Sequence, residues 1–313
     1  MLISVIIPTF NRAEKLTPAL EALNEQSLPP HNYEILFVDN NSSDDTKVVI
    51  ESSIKKYVGL NIKYLFEGRQ GLNFARNCGV HHALADIVAF LDDDAVPQFD
   101  WLQRLLSSYE DPKVGCVGGK IIPSFPKDIR LPQWLTSIFN GYFSGFDLGV
   151  NQIKELTEKD SFPYGANISF RKKVIISAGF FNPKLDRCGK NLIAGGETEM
   201  CIRIYRMGWK VLYNPIAVVE HIISPDRLKR EYFSDHVKGE GITKTLIDYS
   251  INNNTITYHH LFMYLCDLLM YSKKLFYCFR KRDKRFYYYL RIRVNVYALI
   301  YWFKLKYFGM SAE

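Results

Sequence analysis

The chain has 313 residues, of which 47% are hydrophobic and 23% are charged. This composition is typical of a globular protein that buries a core, and the length allows one large α/β domain with an extension, or two domains. The six cysteines form no Cys-x-x-Cys pairs and have no regular spacing, which disfavours a zinc module or a disulfide framework and indicates a reducing compartment, the cytoplasm. The apolar start of the chain lacks a basic flank and soon reaches Pro8, so it predicts a strand and not a signal peptide.

The formal net charge of +7 is unevenly distributed. Residues 272–306 contain eleven Lys or Arg and one acid, Asp283, which gives this segment a net charge of +10 and leaves −3 for the rest of the chain. The asymmetry separates a near-neutral body from a basic C-terminal segment.

The first part of the chain alternates predicted strands and helices. Periodicity and turn residues predict strands over residues 2–7, 33–38, 61–66 and 87–91, and helices over 13–26, 46–56, 72–82 and 99–109. Alternating units of this length predict an α/β fold, in which a parallel sheet carries helices on both faces. Beyond residue 113 the pattern is less regular, and residues 124–160 are interpreted as an irregular lid or acceptor-side segment.

Polar residues follow three of the predicted strands, at positions 8–12, 39–42 and 92–94. Because parallel strands bring their carboxyl ends to one edge, these segments are expected to meet in one crevice. The last of them is Asp92-Asp93-Asp94, directly after an apolar run. Three adjacent acids repel one another unless a cation lies between them, and carboxylates beside phosphate oxygens are usual ligands of Mg²⁺ or Mn²⁺. The alternative is a solvated acidic turn.

Several short motifs occur in an order that resembles family-2 glycosyltransferases with the GT-A fold, and the resemblance covers roughly residues 2–230. It implies a Rossmann-like mixed, mostly parallel sheet flanked by helices, and transfer of a sugar from a nucleotide-diphosphate donor with inversion at the anomeric carbon. The motifs that carry it are Ser4–Arg12, Val38–Asp44, Ala75–Gly79, Phe90–Asp94, Gly165–Asn167, Gly195–Met200 and Gly208–Pro215.

The resemblance implies donor contacts at the strand ends. Asp39 would accept the imide N–H of the base, which favours uracil or thymine, and Asn41 lies in the same segment; the alternative is an Asx turn or helix cap. The nucleotide base and ribose would be wrapped by the segment after the first strand, for which a plain strand-to-helix turn is the alternative; its residues are Pro8, Thr9, Phe10, Asn11 and Arg12.

Three cations are expected near the crevice. Arg76 lies in an Ala-Arg-Asn segment and would neutralise diphosphate charge; the alternative is a salt bridge with one of the Asp residues, and the two roles can coexist. Arg69 lies in a Gly-Arg-Gln-Gly loop that could close on the nucleotide, and Lys63 is the third cation. Gly165 and Asn167 would line the donor-sugar and acceptor pocket.

The resemblance also implies a metal site and a general base. Asp94 would bind the cation directly, Asp92 and Asp93 would hold ribose hydroxyls or metal-bound waters, and Asp92 joins Asp94 and His221 in the predicted ligand set. For His221 the alternative is a strand-end histidine.

The family usually has Glu-Asp ahead of a helix, and here Gly196 and Glu197 stand in those positions. Glu197 is therefore predicted to deprotonate the acceptor hydroxyl, with Glu199 as the alternative base.

The predicted domains are a catalytic domain over 1–235, divided into a nucleotide-binding half (1–112) and an acceptor and base half (113–235), and a basic, aromatic, helical extension over 236–313.

Thirteen aromatics lie within 272–308, but no run reaches the roughly 18–20 apolar residues of a membrane span. The hypothesis is a peripheral anchor on the cytoplasmic membrane face, near a lipid-linked acceptor. The alternatives are a bundle packed on the catalytic domain and an oligomer interface.

The leading interpretation is an inverting, metal-dependent glycosyltransferase that uses a UDP-sugar donor and a glycan or lipid-linked acceptor, in cell-surface polysaccharide or glycoconjugate synthesis. A sugar nucleotidyltransferase is one alternative, although residues 8–12 lack the Gly-rich loop that cradles a triphosphate. A non-catalytic scaffold with a degenerate transferase site is the other. No nucleic-acid module accompanies the basic segment, so no nucleic-acid partner is expected, and the sequence leaves the oligomeric state open.

Overall fold

The computed structural model describes residues 1–186, 193–278 and 281–309. Cys188 of the cysteine pattern and Arg280 of the basic segment lie outside these ranges. The chain divides into two compact units. We call Met1–Ser124, Ser144–Lys184 and Gly196–Ile223 the sheet unit, and Phe125–Phe143, Leu185–Gly195 and Ser224–Glu313 the helical unit. The domain boundary predicted at residue 235 stays a prediction.

The sheet unit is built on one sheet, which has nine strands in the described residues. The strand order is β3-β2-β1-β4-β8-β6-β9-β5, and β7 pairs with β9. Strands β1 to β4 pair in parallel, whereas β8 is antiparallel to both β4 and β6, so the predicted mixed, mostly parallel sheet is confirmed. The strands are β1 Ile3–Thr9, β2 Tyr33–Asp39, β3 Ile62–Phe66, β4 Ile87–Phe90, β5 Ala95–Pro97, β6 Val114–Ser124, β7 Lys154–Leu156, β8 Ile168–Arg171 and β9 Lys210–Ile222.

Six α-helices flank this sheet in the described part of the unit. Their bounds are α1 Leu16–Asn24, α2 Thr46–Lys56, α3 Leu72–His82, α4 Trp101–Ser107, α5 Lys172–Ser177 and α6 Gly196–Arg206. Helices α2 and α3 have the predicted bounds, but the helix predicted over 13–26 is shorter, because the chain first makes a 3₁₀ turn over Ala13–Lys15.

Strand β9 is the longest strand in the described residues, with 13 residues. It continues past Pro215, which has no N–H to donate to the ladder. Pairing with β6 resumes after a register shift between Gly119 and Lys120, so that Lys120 lies opposite Val218. The extension matters because it carries His221 to the end of the strand.

The helical unit contains α7 Arg230–Ile251, α8 Tyr258–Tyr277 and α9 Arg282–Phe308, with 3₁₀ turns over Ser137–Phe143 and Pro225–Leu228. A separate core holds these helices together, and its buried members are Leu185, Leu246, Ile256, Tyr264, Ala298, Trp302 and Leu305. Among the described residues, we find no helix with the length and apolar character needed to span a membrane.

Candidate active site

The three aspartates follow β4 in a tight turn, in which the Ala95 N–H donates to the Asp92 carbonyl at 3.1 Å. The Asp94 carbonyl accepts the Ile222 N–H at 2.8 Å, which fixes the turn to the end of β9. This pairing places the His221 Nε2 3.0 Å from Asp94 Oδ1. Ligand atoms of Asp92, Asp94 and His221 all lie within 4.8 Å of one another. Two carboxylates and an imidazole at this spacing fit a divalent cation.

The pKa values of two of the three aspartates are raised, because the carboxylates are shielded from water and lie close together. Loss of surrounding water, followed by repulsion from Asp94, raises the pKa of Asp92, while His221 and Arg76 act in the opposite direction. The pKa of Asp93 rises to about 7 for the same two reasons, although Arg12 and the Thr9 hydroxyl oppose the shift. A bound cation would relieve this repulsion.

The loop after β1 is joined to the acidic turn by two side-chain contacts. The Thr9 hydroxyl donates to Asp93 Oδ2 at 2.8 Å, and Arg12 Nη1 lies 3.3 Å from Asp94 Oδ2. Pro8 and Thr9 are buried in β1, whereas Phe10 is 39% exposed. The structure thus brings residues 8–12 to the acidic turn, as the strand order predicts.

The loops after β1 and β2 are also bonded to each other. The Asn11 N–H donates to the Ser42 hydroxyl at 2.9 Å, and Asn11 Oδ1 accepts the Ser43 N–H at 2.8 Å. Asn11 and Asn41 both adopt left-handed backbone conformations, with φ of 50° and 64°, which asparagine tolerates better than most residues. Both residues are exposed, so the two loops form one polar surface at the carboxyl edge.

Asp39 is buried at the end of β2 and holds two donors. Its Oδ1 accepts the Ser42 N–H at 2.9 Å, which is the Asx turn of the alternative interpretation, and its Oδ2 accepts the Tyr64 hydroxyl at 2.8 Å. Burial and the Asp39 carboxylate raise the pKa of Tyr64. Sequence reasoning missed Tyr64; the signal was an aromatic residue in the strand that pairs with β2.

Asn40 was also missed as an individual residue. Its buried side chain accepts the Gly71 N–H at 2.7 Å and donates to the Arg69 carbonyl at 2.7 Å, so it fixes the loop before α3. The Arg69 side chain is 68% exposed and makes two bonds with the Glu67 carboxylate, at 2.9 and 2.8 Å.

The expectation that Lys63 lies near the crevice is wrong. Lys63 is the second residue of β3 and pairs at 2.9 Å with Glu34, which lies near the beginning of β2. Both residues are therefore at the amino end of their strands, and the polar crevice is at the carboxyl end.

Arg76 on α3 is 3% exposed and points to Glu197 at the start of α6. Its Nη2 lies 2.5 Å from Glu197 Oε1, and its Nη1 donates to Asn73 Oδ1 at 2.9 Å. The Gly165 N–H donates to the same Glu197 oxygen at 3.0 Å. The alternative prediction for Arg76 is a salt bridge with an Asp. The structure shows the salt bridge, but its acidic partner is Glu197. Both Arg76 and Glu197 are close enough to Asp92 to change its pKa.

Glu199 has a different environment, although it is two residues from Glu197. It is 2% exposed and pairs at 2.7 Å with Arg203, one turn further along α6. Arg203 also donates to the Ala178 and Phe180 carbonyls. Glu199 thus ties α6 to the segment after α5, and the 15% exposed Glu197 is the acid that accompanies Arg76.

The sequence model of Glycosyl transferase family 2 matches residues 4–178, which is more than half of the chain. The chain belongs to this family. It is 29% identical over 232 residues to glycosyltransferase AglE of Haloferax volcanii, with 74% of this chain and 70% of the relative covered. It is 27% identical over 252 residues to the glucosyl-dolichyl phosphate glucuronosyltransferase of the same organism, with 79% and 78% covered.

Solved structures show the same fold. A mannosyltransferase of Pyrobaculum calidifontis, in complex with GDP-Man and Mn²⁺, superposes with a TM-score of 0.61 at 19% identity, over 95% of this chain and 74% of that one. S. aureus TarS 1–349 in complex with UDP-GlcNAc gives 0.57 at 19% identity, over 83% and 69%. The fold is therefore of the GT-A type, and this family-2 chain is a glycosyltransferase.

The glycine at position 196 of this family-2 chain, where the family usually has Glu, has a local explanation. A Cβ at Gly196 would collide with the Asn73 side chain, which occupies the space and donates to the Asn182 carbonyl at 2.9 Å. A Cβ at Gly165 would collide with both Arg76 and Glu197. Glycine at these two positions lets the backbone close around the Arg76–Glu197 pair.

Asn167 is fully buried, and its amide connects three elements. It donates to the Lys120 and Ala217 carbonyls at 2.9 and 2.8 Å and accepts the Trp101 indole N–H at 2.8 Å. These bonds give Asn167 a structural role, and its expected donor contact stays a prediction.

Proposed function

We propose that this glycosyltransferase is inverting and metal-dependent, and that it transfers a sugar from a UDP-sugar to a hydroxyl of a glycan or lipid-linked acceptor. One observation carries the proposal. The Asp92–Asp94–His221 group and the Arg76-bound Glu197 occur in the same sheet unit, close enough that Glu197 influences the pKa of Asp92. A cation site and a carboxylate base at this proximity are what the two ends of a glycosyl transfer need.

The donor base is assigned from Asp39. Its buried carboxylate, which accepts the Tyr64 hydroxyl, would accept the imide N–H of uracil. The two structural neighbours were solved with GDP-Man and with UDP-GlcNAc, so the fold by itself does not select the base.

Asp92, Asp94 and His221 would hold the cation, which supplies positive charge for the diphosphate that leaves. The imidazole nitrogen favours a transition-metal ion such as Mn²⁺ over Mg²⁺, which prefers oxygen ligands. The Pyrobaculum mannosyltransferase is a neighbour with Mn²⁺ in its structure. Arg12, at 3.3 Å from Asp94, adds a fixed positive charge beside this group.

Glu197 would act as the general base. Its carboxylate takes the proton of the acceptor hydroxyl while the acceptor oxygen bonds to the anomeric carbon. The bond from that carbon to the diphosphate oxygen breaks, and the nucleoside diphosphate leaves with the electron pair. Attack from the side opposite the leaving group inverts the configuration. Arg76 and the Gly165 N–H hold Glu197 Oε1 and so fix the orientation of the carboxylate.

The acceptor class is suggested by the relatives. A glucuronosyltransferase whose name specifies glucosyl-dolichyl phosphate matches over 79% of this chain. A lipid-linked acceptor would require the enzyme to work at a membrane surface, and we propose a peripheral location on its cytoplasmic face.

The proposal is tested by calorimetric titration of UDP, dTDP, GDP and CMP, each with and without Mn²⁺, on the native chain and on Asp94→Ala. We expect UDP to bind in a Mn²⁺-dependent way and the metal dependence to disappear in Asp94→Ala. The matched control is Asp226→Ala, since Asp226 is an exposed acid paired with Lys229 in the helical unit. If none of the four nucleotides binds, the catalytic proposal is wrong; if GDP binds best, the assignment from Asp39 is wrong.

A further inference from the structure

Helix α8 turns its apolar residues outward. Leu269, Phe276 and Tyr277 are 70%, 79% and 74% exposed. Together with Tyr258, Phe262 and Leu265, which are also exposed, Leu269 and Phe276 follow the three-, four- and seven-residue spacing that forms one face of a helix, and Tyr277 lies beside that face. A helix that faced only water would carry polar residues at these positions.

Helix α9 has a second exposed apolar stripe. Its members are separated mostly by seven, four or three residues, and they are Tyr289, Val296, Ile300, Phe303 and Tyr307, followed by Phe308. Tyr258 lies 5.5 Å from Trp302 and Tyr271 lies 6.2 Å from Tyr288, measured between ring centroids, so the two helices run antiparallel as neighbours. Two adjacent helices therefore each expose apolar and aromatic side chains.

Three polar side chains of these helices bond to α7. Lys244 of α7 bonds to Asp267 of α8 at 2.7 Å and to Asn295 of α9 at 3.0 Å. Asp248 of α7 accepts the Tyr264 hydroxyl at 2.5 Å. The helices thus expose apolar side chains in addition to those of their buried core, which a bundle that faces only water would not do.

Cations surround the apolar stripes. Lys273, Lys274, Lys281, Arg285 and Lys306 are exposed on or beside α8 and α9. Among the described residues of 258–309, the two acids are Asp267, which is paired with Lys244, and Asp283, which accepts the Thr136 hydroxyl at 3.5 Å. The exposed surface is therefore apolar, aromatic and basic.

The positive charge of the exposed surface of α8 and α9 indicates which partner binds there. A second copy of the chain would bring the same cations against these cations, which repel. An anionic bilayer surface complements them, and its interfacial zone accepts aromatic and aliphatic side chains beside Lys and Arg. We propose that the outward faces of α8 and α9 dock into the interfacial zone of an anionic lipid bilayer. This deepens the proposed function and rests on it for the lipid-linked acceptor, but docking is measurable without catalysis.

The test is co-sedimentation of the full chain with vesicles of phosphatidylcholine alone or mixed with phosphatidylglycerol. We expect partition into the anionic vesicles, weakened by added salt. Leu269→Glu/Phe276→Glu and, separately, Ile300→Glu/Phe303→Glu should each lower the partition coefficient ~10-fold or more. The matched control is Val58→Glu/Leu84→Glu, which places two charges on exposed apolar residues of the sheet unit, 86% and 64% exposed. This control should bind as the native chain does.

Circular dichroism and UDP titration of every variant confirm that the fold and the donor site are intact. The proposal is overturned if the native chain stays in the supernatant with both kinds of vesicle, or if the sheet-unit control loses as much binding as the helix variants. It is also overturned if the helix variants dissociate an oligomer, measured by analytical ultracentrifugation, while their vesicle binding is unchanged. Vesicle binding without any nucleotide binding would contradict the proposed function and leave the docking surface supported.

Discussion

The two units distribute charge in opposite ways. In the sheet unit, apolar strands are buried and the acids Asp92, Asp93 and Asp94 collect at one edge, where their mutual repulsion raises two pKa values. In the helical unit, Lys244 and Asp267 form a partly exposed pair, and apolar side chains such as Leu269 are exposed. Carboxylates that repel one another are stabilised when a cation binds between them. An acid that is paired with a base instead connects the two helices or strands that carry them.

The same contrast occurs on a smaller scale within α6. Glu199 is matched by Arg203 and sealed from solvent, while Glu197 shares Arg76 with Asn73 at a more exposed position near the acidic turn. Substitutions that remove one carboxylate at a time can therefore separate a chemical role from a structural one.

The largest effect is expected from Glu197→Gln. The amide keeps the shape and the hydrogen bond to the Gly165 N–H, but it cannot take a proton, so kcat should fall by ~10²–10⁴-fold. UDP affinity, measured by titration, should stay close to that of the native enzyme. Transfer is measured from release of the nucleoside diphosphate in the presence of acceptor.

Glu199→Gln is the comparison for this variant. Because Glu199 is buried with Arg203, its loss should lower the melting temperature more than Glu197→Gln does, while the folded enzyme keeps most of its kcat. If Glu199→Gln abolishes turnover and Glu197→Gln does not, the two acids have been assigned in the wrong order.

Arg76→Gln should produce the next largest effect. The guanidinium contacts Glu197 and Asn73, so its removal should misplace the carboxylate and lower kcat ~10–100-fold. The Kd for UDP with Mn²⁺ should change little, which distinguishes this role from the diphosphate contact that the sequence implies. Arg76→Lys keeps the charge and should recover part of kcat; a large loss of UDP affinity in both variants would restore the diphosphate role.

The sequence predicts the features that local spacing controls. The bounds of α2 and α3, the parallel order of the first strands and the convergence of their polar ends all follow from periodicity and from strand-end chemistry. The contact between Arg76 and Glu197 joins residues 121 positions apart, and no local pattern encodes it. Gly196 and Asn73 are likewise complementary only after folding.

Two further features were present in the sequence but needed the structure to interpret. Lys63 has the residue type of a crevice cation, and its position at the beginning of β3 places it at the opposite end of the sheet. The basic and aromatic composition of the C-terminal segment suggests a membrane surface or a packed bundle, but which apolar positions of α8 and α9 are exposed is a tertiary property.

A smaller effect, on stability, should come from Asp248→Asn in the polar interior of the helical unit. Burial raises the pKa of Asp248, although the Tyr264 hydroxyl, His260 and Lys244 oppose the shift. The stability that protonated Asp248 contributes is thus complete below its unfolded pKa of about 3.9 and is lost as the pH rises through the folded pKa. Asparagine does not titrate, so the stability of the variant relative to the native chain should increase as the pH rises above about 4.

Melting temperatures of the native chain and of Asp248→Asn across this pH range measure the difference. Asp226→Asn, at an exposed acid of the same unit, should show no comparable trend. A difference between Asp248→Asn and the native chain that is independent of pH would mean that Asp248 does not titrate as its burial requires.

The smallest effect is expected from Arg69→Gln. The Arg69 side chain is mostly exposed and paired with Glu67, and exposed pairs contribute little, so the Kd for UDP should change less than ~3-fold. The loop that carries Arg69 is held instead by the buried Asn40 side chain through the Gly71 N–H and the Arg69 carbonyl, so Asn40→Ala should weaken UDP binding more. A tenfold loss of UDP affinity in Arg69→Gln alone would show that the guanidinium leaves Glu67 and binds the nucleotide. Arg69 would then belong to the donor site, and its pair with Glu67 would be only its resting contact.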